Sequence, residues 1–197
     1  MQFSDISFEN IITEHIRRSF YVALKYFPEL HDRVIIIRKK DTGGATMTAR
    51  PVVNRFLFYK KNRHFLISIN PIIKVDNKTP IEAVPEKVLT GWFAHELGHI
   101  VDYLDRSGWD LIRFGMYYWL SETFRIGAER KADVYAIGHG CADYILTTKK
   151  YILEHSDISN VYKTRIEKYY MSPDELAIML NEQVNEGVQM DNVEFWK

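Results

Sequence analysis

The segment from Glu86 to Asp105 constrains this chain most, because it sets His95-Glu96-Leu97-Gly98-His99 in the middle of an apolar helical run. Trp92, Phe93, Ala94, Leu97, Ile100 and Val101 surround the polar groups. A helix apolar on every side belongs in an interior, so the fold has to be built around this one. On a helix, His95 and His99 differ by about 40° of azimuth and about 6 Å of rise, so both imidazoles reach one cation. Glu96 sits about 100° round from His95, where it touches a water on that cation without ligating it. Two ligands and a general base on one helical turn are what metal-assisted hydrolysis needs. Chance supplies roughly 0.02 such matches in a chain of this composition. The competing reading is a buried helix whose histidines are satisfied by hydrogen bonds alone.

A catalytic zinc takes three protein ligands and leaves a position for water, so a third ligand must come from elsewhere. Glu129-Arg130-Lys131-Ala132-Asp133 offers two carboxylates on one helix face. One can bind the ion while the other accepts a hydrogen bond from the far nitrogen of a ligand histidine. His139 is a rival third ligand.

With His95-Glu96-Leu97-Gly98-His99 followed by Glu129-x-x-Ala132-Asp133, the chain resembles the gluzincin metallopeptidases. The small soluble minigluzincins and the soluble catalytic cores of HtpX-like proteases are nearest, and the IrrE/ImmA-type regulatory proteases are somewhat similar. The specific match spans about residues 86 to 140. The resemblance implies a single zincin-like α+β domain over residues 1–197. Its upper lobe, to about residue 108, would hold a mixed sheet and the active-site helix, and its lower lobe would be mainly helical. It implies one zinc ion held by His95, His99 and Glu129, with Glu96 as general base and Asp133 behind a ligand histidine. The group that stabilises the oxyanion is not singled out by any motif; His139, Tyr135, Tyr162, Arg165 and Tyr169 are the candidates. The activity implied is hydrolysis of peptide bonds in a protein or peptide substrate. The alternative is a regulatory or protein-binding module on the same scaffold, without general proteolysis. The membrane helices of the HtpX-like proteins have no counterpart here.

The rest of the chain reads as strands early and helices late. A first helix is expected from Phe8 to Phe27, then strands at Val34–Ile37, Thr46–Val53, Arg55–Tyr59 and His64–Asn70. The strand at Phe65–Asn70 is a candidate edge of the cleft, to which an extended substrate could add; an interior strand is the plainer reading. Thr79-Pro80-Ile81-Glu82 and Ser172-Pro173-Asp174-Glu175 resemble capping boxes. Ser107-Gly108 is expected to end the motif helix, and Gly138 and Gly140 to end a helix begun at Glu122. Further helices are expected near Ala142–His155 and Ser172–Asn185. The aromatic-rich set Trp92, Trp109, Met116, Tyr117, Tyr118, Trp119 and Phe124 reads as packing between lobes, with a pocket for an apolar substrate side chain as the alternative. Lys60, Lys61, Arg63 and Arg55 read as a solvated hairpin tip, and Cys141 as a buried small residue.

Charge narrows the partners: 26 Lys+Arg balance 26 Asp+Glu, so no global basic field argues for nucleic acid. A single cysteine cannot close an internal disulfide, which suits a reducing compartment. No run approaches the roughly 20 apolar residues that cross a bilayer. With no secretory signal in Met1–Asn10, a soluble cytoplasmic protein is expected, leaderless export aside.

Overall fold

One helix lies between the first two strands and the other helices follow the last strand, an α+β arrangement on one mixed sheet. The computed structural model describes residues 6–9, 12–154, 164, 168–172, 174–175 and 178. The strands are β1 (Ile6–Glu9), β2 (Val34–Lys39), β3 (Met47–Pro51) and β4 (His64–Ile69). The helices are α1 (Glu14–Leu24), α2 (Glu86–Leu104), α3 (Gly108–Leu120), α4 (Glu122–Ala136) and α5 (Ala142–Glu154).

Sheet order is β1-β2-β4-β3, with β1, β2 and β4 parallel and β3 antiparallel to β4. Parallel neighbours cannot be closed by a hairpin, so α1 makes the crossover from β1 to β2. Its buried stripe of Ile16, Phe20, Ala23 and Leu24 packs toward α2, where the Phe20 and Phe93 rings meet edge-on at 5.4 Å. Phe65 to Ile69 of β4 are all buried. That is the signature of a central strand covered on both faces.

The motif helix is interior, as its composition requires: every residue of α2 from Val88 to Ile100 is buried. It packs against α1, α4, α5 and β3. Two glycines permit the closest approaches. A Cβ on Gly91 would lie 2.1 Å from Thr148 Oγ1 of α5, and one on Gly98 would lie 2.3 Å from the Ala132 carbonyl oxygen of α4. Beyond the helix, Arg63 donates to the carbonyls of Leu57, Tyr103 and Arg106 at 3.0, 2.7 and 3.1 Å. It is a buried staple on the exit of α2, not part of a solvated hairpin tip.

Several local expectations are corrected. The first helix starts at Glu14 because Ile6–Glu9 pairs with Ile35–Arg38 as a strand. Arg55–Phe58 is a 3-10 turn, fixed by Asn54, whose side chain accepts the Phe56 N–H at 2.9 Å. Thr79–Glu82 makes no capping box; Asp76 accepts the Thr79 N–H, and a 3-10 turn at Ile81–Ala83 precedes α2. Ser107 begins α3 through a reciprocal box with Asp110, so what reads as a stop is the next start. Gly140, at φ 83°, lies in a wide turn over Ile137–Cys141 that carries α4 into α5. The Ser172–Glu175 box is formed, with Glu175 N–H to Ser172 Oγ at 3.1 Å and Ser172 N–H to Glu175 Oε2 at 2.7 Å. Most of the helix expected after it lies outside the described residues.

Candidate metal centre

The i,i+4 spacing on α2 turns His95 and His99 toward α4, with ring centroids 4.8 Å apart and planes at 88°. The Gly98–Ala132 contact brings α4 close enough for Glu129 to reach both rings. Glu129 Oε2 lies 3.2 Å from His95 Nε2, and Glu129 Oε1 lies 3.6 Å from His99 Nε2. Two ligands about 2.1 Å from one ion at the tetrahedral angle stand about 3.4 Å apart, so both separations suit a shared cation. Ligand atoms of His95, His99 and Glu129 all fall within 4.8 Å of one another, and all three residues are buried. These residues could hold a metal ion.

Asp133, one turn after Glu129, accepts from His95 Nδ1–H at 3.0 Å, which fixes the ring and aims Nε2 at Glu129. The other oxygen of Asp133 accepts from Lys149 Nζ of α5 at 2.7 Å. Burial pushes the Asp133 carboxyl up, but Lys149 and His95 outweigh it and hold it below its ordinary range. Burial likewise raises Glu129, while His99 and His95 hold it well below that range. Tyr118 donates its hydroxyl to Glu129 Oε1, so the third candidate ligand is oriented from α3 as well. Burial disfavours a charge on His95, yet its hydrogen bonds to the Asp133 and Glu129 carboxylates raise it to about 10.

Glu96 differs from its neighbours. It is buried, and burial raises its carboxyl above the ordinary range. Burial outweighs the opposing pull of His95, His99 and the Ala49 backbone of β3, and Oε2 has no hydrogen-bond partner. A buried carboxylate oxygen left orphaned beside three candidate ligands fits a water held there. A cavity of about 60 Å³ adjoins it, lined among others by Met47, Trp92, His95, Lys149 and Tyr170. That is room for a handful of waters. The Tyr170 ring stands 5.5 Å from that of His95, and Tyr103 stacks on His99 at 6.2 Å.

Among the described residues, none of those named for the oxyanion belongs to the ligand cluster. Both ring nitrogens of His139 are engaged, with the Tyr135 carbonyl at 2.6 Å and Glu29 at 2.7 Å, and the ring stacks on Phe27. It is not part of the ligand cluster, so its rivalry with Glu129 is not supported by its placement. Tyr169 donates to Glu122 Oε1 at 2.7 Å at the start of α4. Tyr135 carries Lys131 over its ring. Tyr162 and Arg165 lie outside the described residues. Cys141 is fully buried and its thiol is pushed up to about 12 by burial, so it is a core residue.

The cleft edge also moves. β4 is paired on both sides, and the outer strand beside α2 is β3. Thr46 C=O and Val52 N–H turn inward toward β4 and its flank. By alternation, Met47, Ala49 and Pro51 present their backbone to the outer edge, where a proline costs no ladder bond. Sequence reasoning did not find Tyr118, Lys149 or Tyr170 as neighbours of the centre. Lys149 had a signal: it stands on the apolar stripe Ile145, Thr148, Ile152 of α5, where a cation requires a buried anion.

No family model, curated protein or solved structure matches the chain.

Proposed function

We propose that the chain is a zincin-like, gluzincin-type metallopeptidase that hydrolyses peptide bonds, with zinc held by His95, His99 and Glu129. The observation that carries this reading is the pairing of a His-His-Glu cluster with a buried carboxylate, Glu96, whose Oε2 has no partner. Two histidines and a glutamate are a donor set suited to zinc. A bound zinc ion supplies a Lewis acid and lowers the pKa of water from 15.7 to roughly 7.

The chain's own residues do the rest. Asp133 holds the Nδ1–H of His95, so that Nε2 is the nitrogen that gives up its proton to a metal, and Lys149 holds Asp133. Tyr118 keeps Glu129 turned toward the histidines. Glu96 takes a proton from water as the peptide carbonyl is attacked and passes it to the leaving amine, work worth roughly 10²–10⁴ in rate. The raised carboxyl of Glu96 suits a group that must accept and then release a proton. An extended substrate would lie along the outer edge of β3, the strand that packs against α2.

The size of the cavity favours a second reading in one respect. At about 60 Å³ it admits water more readily than a large side chain, which suits a regulatory or binding module with restricted access. Glu96→Gln separates the two. For the peptidase, cleavage of an unstructured protein substrate disappears in this variant while metal content stays at the wild-type level. Equal cleavage by Glu96→Gln defeats the mechanism, and a stable uncleaved partner complex with metal-loaded wild type favours the binding module.

A further inference from the structure

Only one side of the aromatic-rich stretch packs inward. In α3, Trp109 is 68% exposed, Trp119 81% and Leu120 68%, and Ile112 and Met116 are each close to half exposed. At about 100° per residue these five fall within an arc of about 100° on one side of the helix. The opposite side carries the buried Leu111 and Phe114 and, with Tyr118, touches Glu129. Among the exposed residues of α3 only Arg113 is charged. The patch continues onto the 3-10 turn before β4: Phe58 meets Trp109 at 5.4 Å between ring centroids, and Phe58, Tyr59 and Val53 are 50%, 64% and 79% exposed. An exposed apolar surface this continuous marks a docking face.

Its charges identify the occupant. Arg55, Lys60 and Lys61 are exposed around the apolar strip, against Asp105. Arg113 and Asp110 pair with each other, and Glu122 at the far end is paired with Lys168 and Tyr169. The local basic excess stands out in a chain whose charges otherwise cancel. Two copies meeting face to face would set these cations against their own duplicates. A convex helix bearing two tryptophans and tyrosines inside a basic rim matches an interfacial surface, where aromatic rings sit at headgroup level and Lys/Arg meet lipid phosphate.

We propose that α3 and the 53–61 segment dock on an anionic lipid bilayer. Among the described residues no helix is long and apolar enough to cross a membrane, so the attachment is peripheral. Because Tyr118 on the inner side of α3 touches Glu129, docking holds the candidate metal centre about one helix diameter, ~10 Å, from the headgroups.

The test is co-sedimentation of the full chain with phosphatidylcholine vesicles with and without about 30% phosphatidylglycerol. Binding is expected to the anionic vesicles and to fall at least about tenfold when salt is raised to about 0.5 M. Trp119→Ser with Leu120→Ser, and separately Lys60→Glu with Lys61→Glu, should each weaken it at least about tenfold at unchanged melting temperature and metal content. No sedimentation with anionic vesicles overturns the proposal, as does binding indifferent to both pairs of substitutions. A dimer in analytical ultracentrifugation that Trp119→Ser dissolves, without vesicle binding, would instead assign the face to a second copy. Metal content and peptide cleavage are read separately, so failure here leaves the metal centre untouched.

Discussion

Gly98 stands between the turn that carries His95 and His99 and the helix that carries Glu129, and Gly98→Ala tests whether that contact sets the candidate centre. The added Cβ would lie 2.3 Å from the Ala132 carbonyl oxygen, about 1.1 Å inside the 3.4 Å at which such contacts become ordinary. The obstacle is backbone, with Ala132 carbon and Cα at 3.1 and 3.3 Å, so no rotamer change relieves it and α4 must retreat. Overpacking of this kind costs about 1–3 kcal/mol, or about 2–12 °C in Tm for a chain of this size. The retreat carries Glu129 and Asp133 with it, and a shift near 1 Å exceeds the tolerance of about 0.2 Å in ligand distances. Zinc affinity should therefore fall about 100-fold, measured by competition with a chromophoric chelator. Gly91→Ala is the control, since its Cβ meets Thr148 Oγ1 and the Tyr144 carbonyl of α5 at 2.1 and 2.4 Å. It should lose similar stability but keep zinc affinity within about tenfold. Wild-type zinc affinity in a destabilised Gly98→Ala would refute the claim that this approach of α2 and α4 builds the ligand set.

Lys149→Met removes the cation from a buried pair with Asp133 and should destabilise the protein by about 3–5 kcal/mol, seen in urea unfolding; a loss under about 1 kcal/mol would contradict the pairing. Without metal, His95 is raised from 6.5 to about 10, against burial, by Asp133 and Glu129. Zinc binding at pH 7.5 (about one unit above the free value) should then expel about one proton, read as a buffer-dependent enthalpy in calorimetry, and an enthalpy independent of buffer would contradict it. Linkage gives the matching stability trend: the contribution of His95 to the metal-free fold is complete below about 6.5 and is lost as pH rises through about 10, so the metal-free Tm should fall over that window.

The centre was legible where a single helix carries it. His95, Glu96 and His99 are tied by 3.6-residue periodicity, and the apolar residues around them announce burial without any knowledge of the partners. The pair Glu129 and Asp133 follows the same rule on α4, but which carboxylate faces the cluster depends on the approach of two helices. Only the geometry places Glu129 at both Nε2 atoms and Asp133 at Nδ1. Tyr118, Lys149 and Ala49 converge from three other elements at no fixed spacing, so no motif encodes them. The exposed face of α3 was misread for a related reason: its aromatics have helical periodicity, and periodicity tells that one side is apolar without telling which side is covered. Ser107-Gly108 shows the limit of local signals, since a serine three residues before Asp110 caps the next helix as readily as it ends the last.

Metal content of the purified chain by elemental mass spectrometry, beside Glu129→Ala, tests the central claim most directly. Close to one zinc per wild-type chain, lost or greatly weakened in Glu129→Ala, is the predicted result. No zinc in the wild type after incubation with the ion, or full retention by Glu129→Ala, would contradict the assignment of His95, His99 and Glu129 as the ligand set.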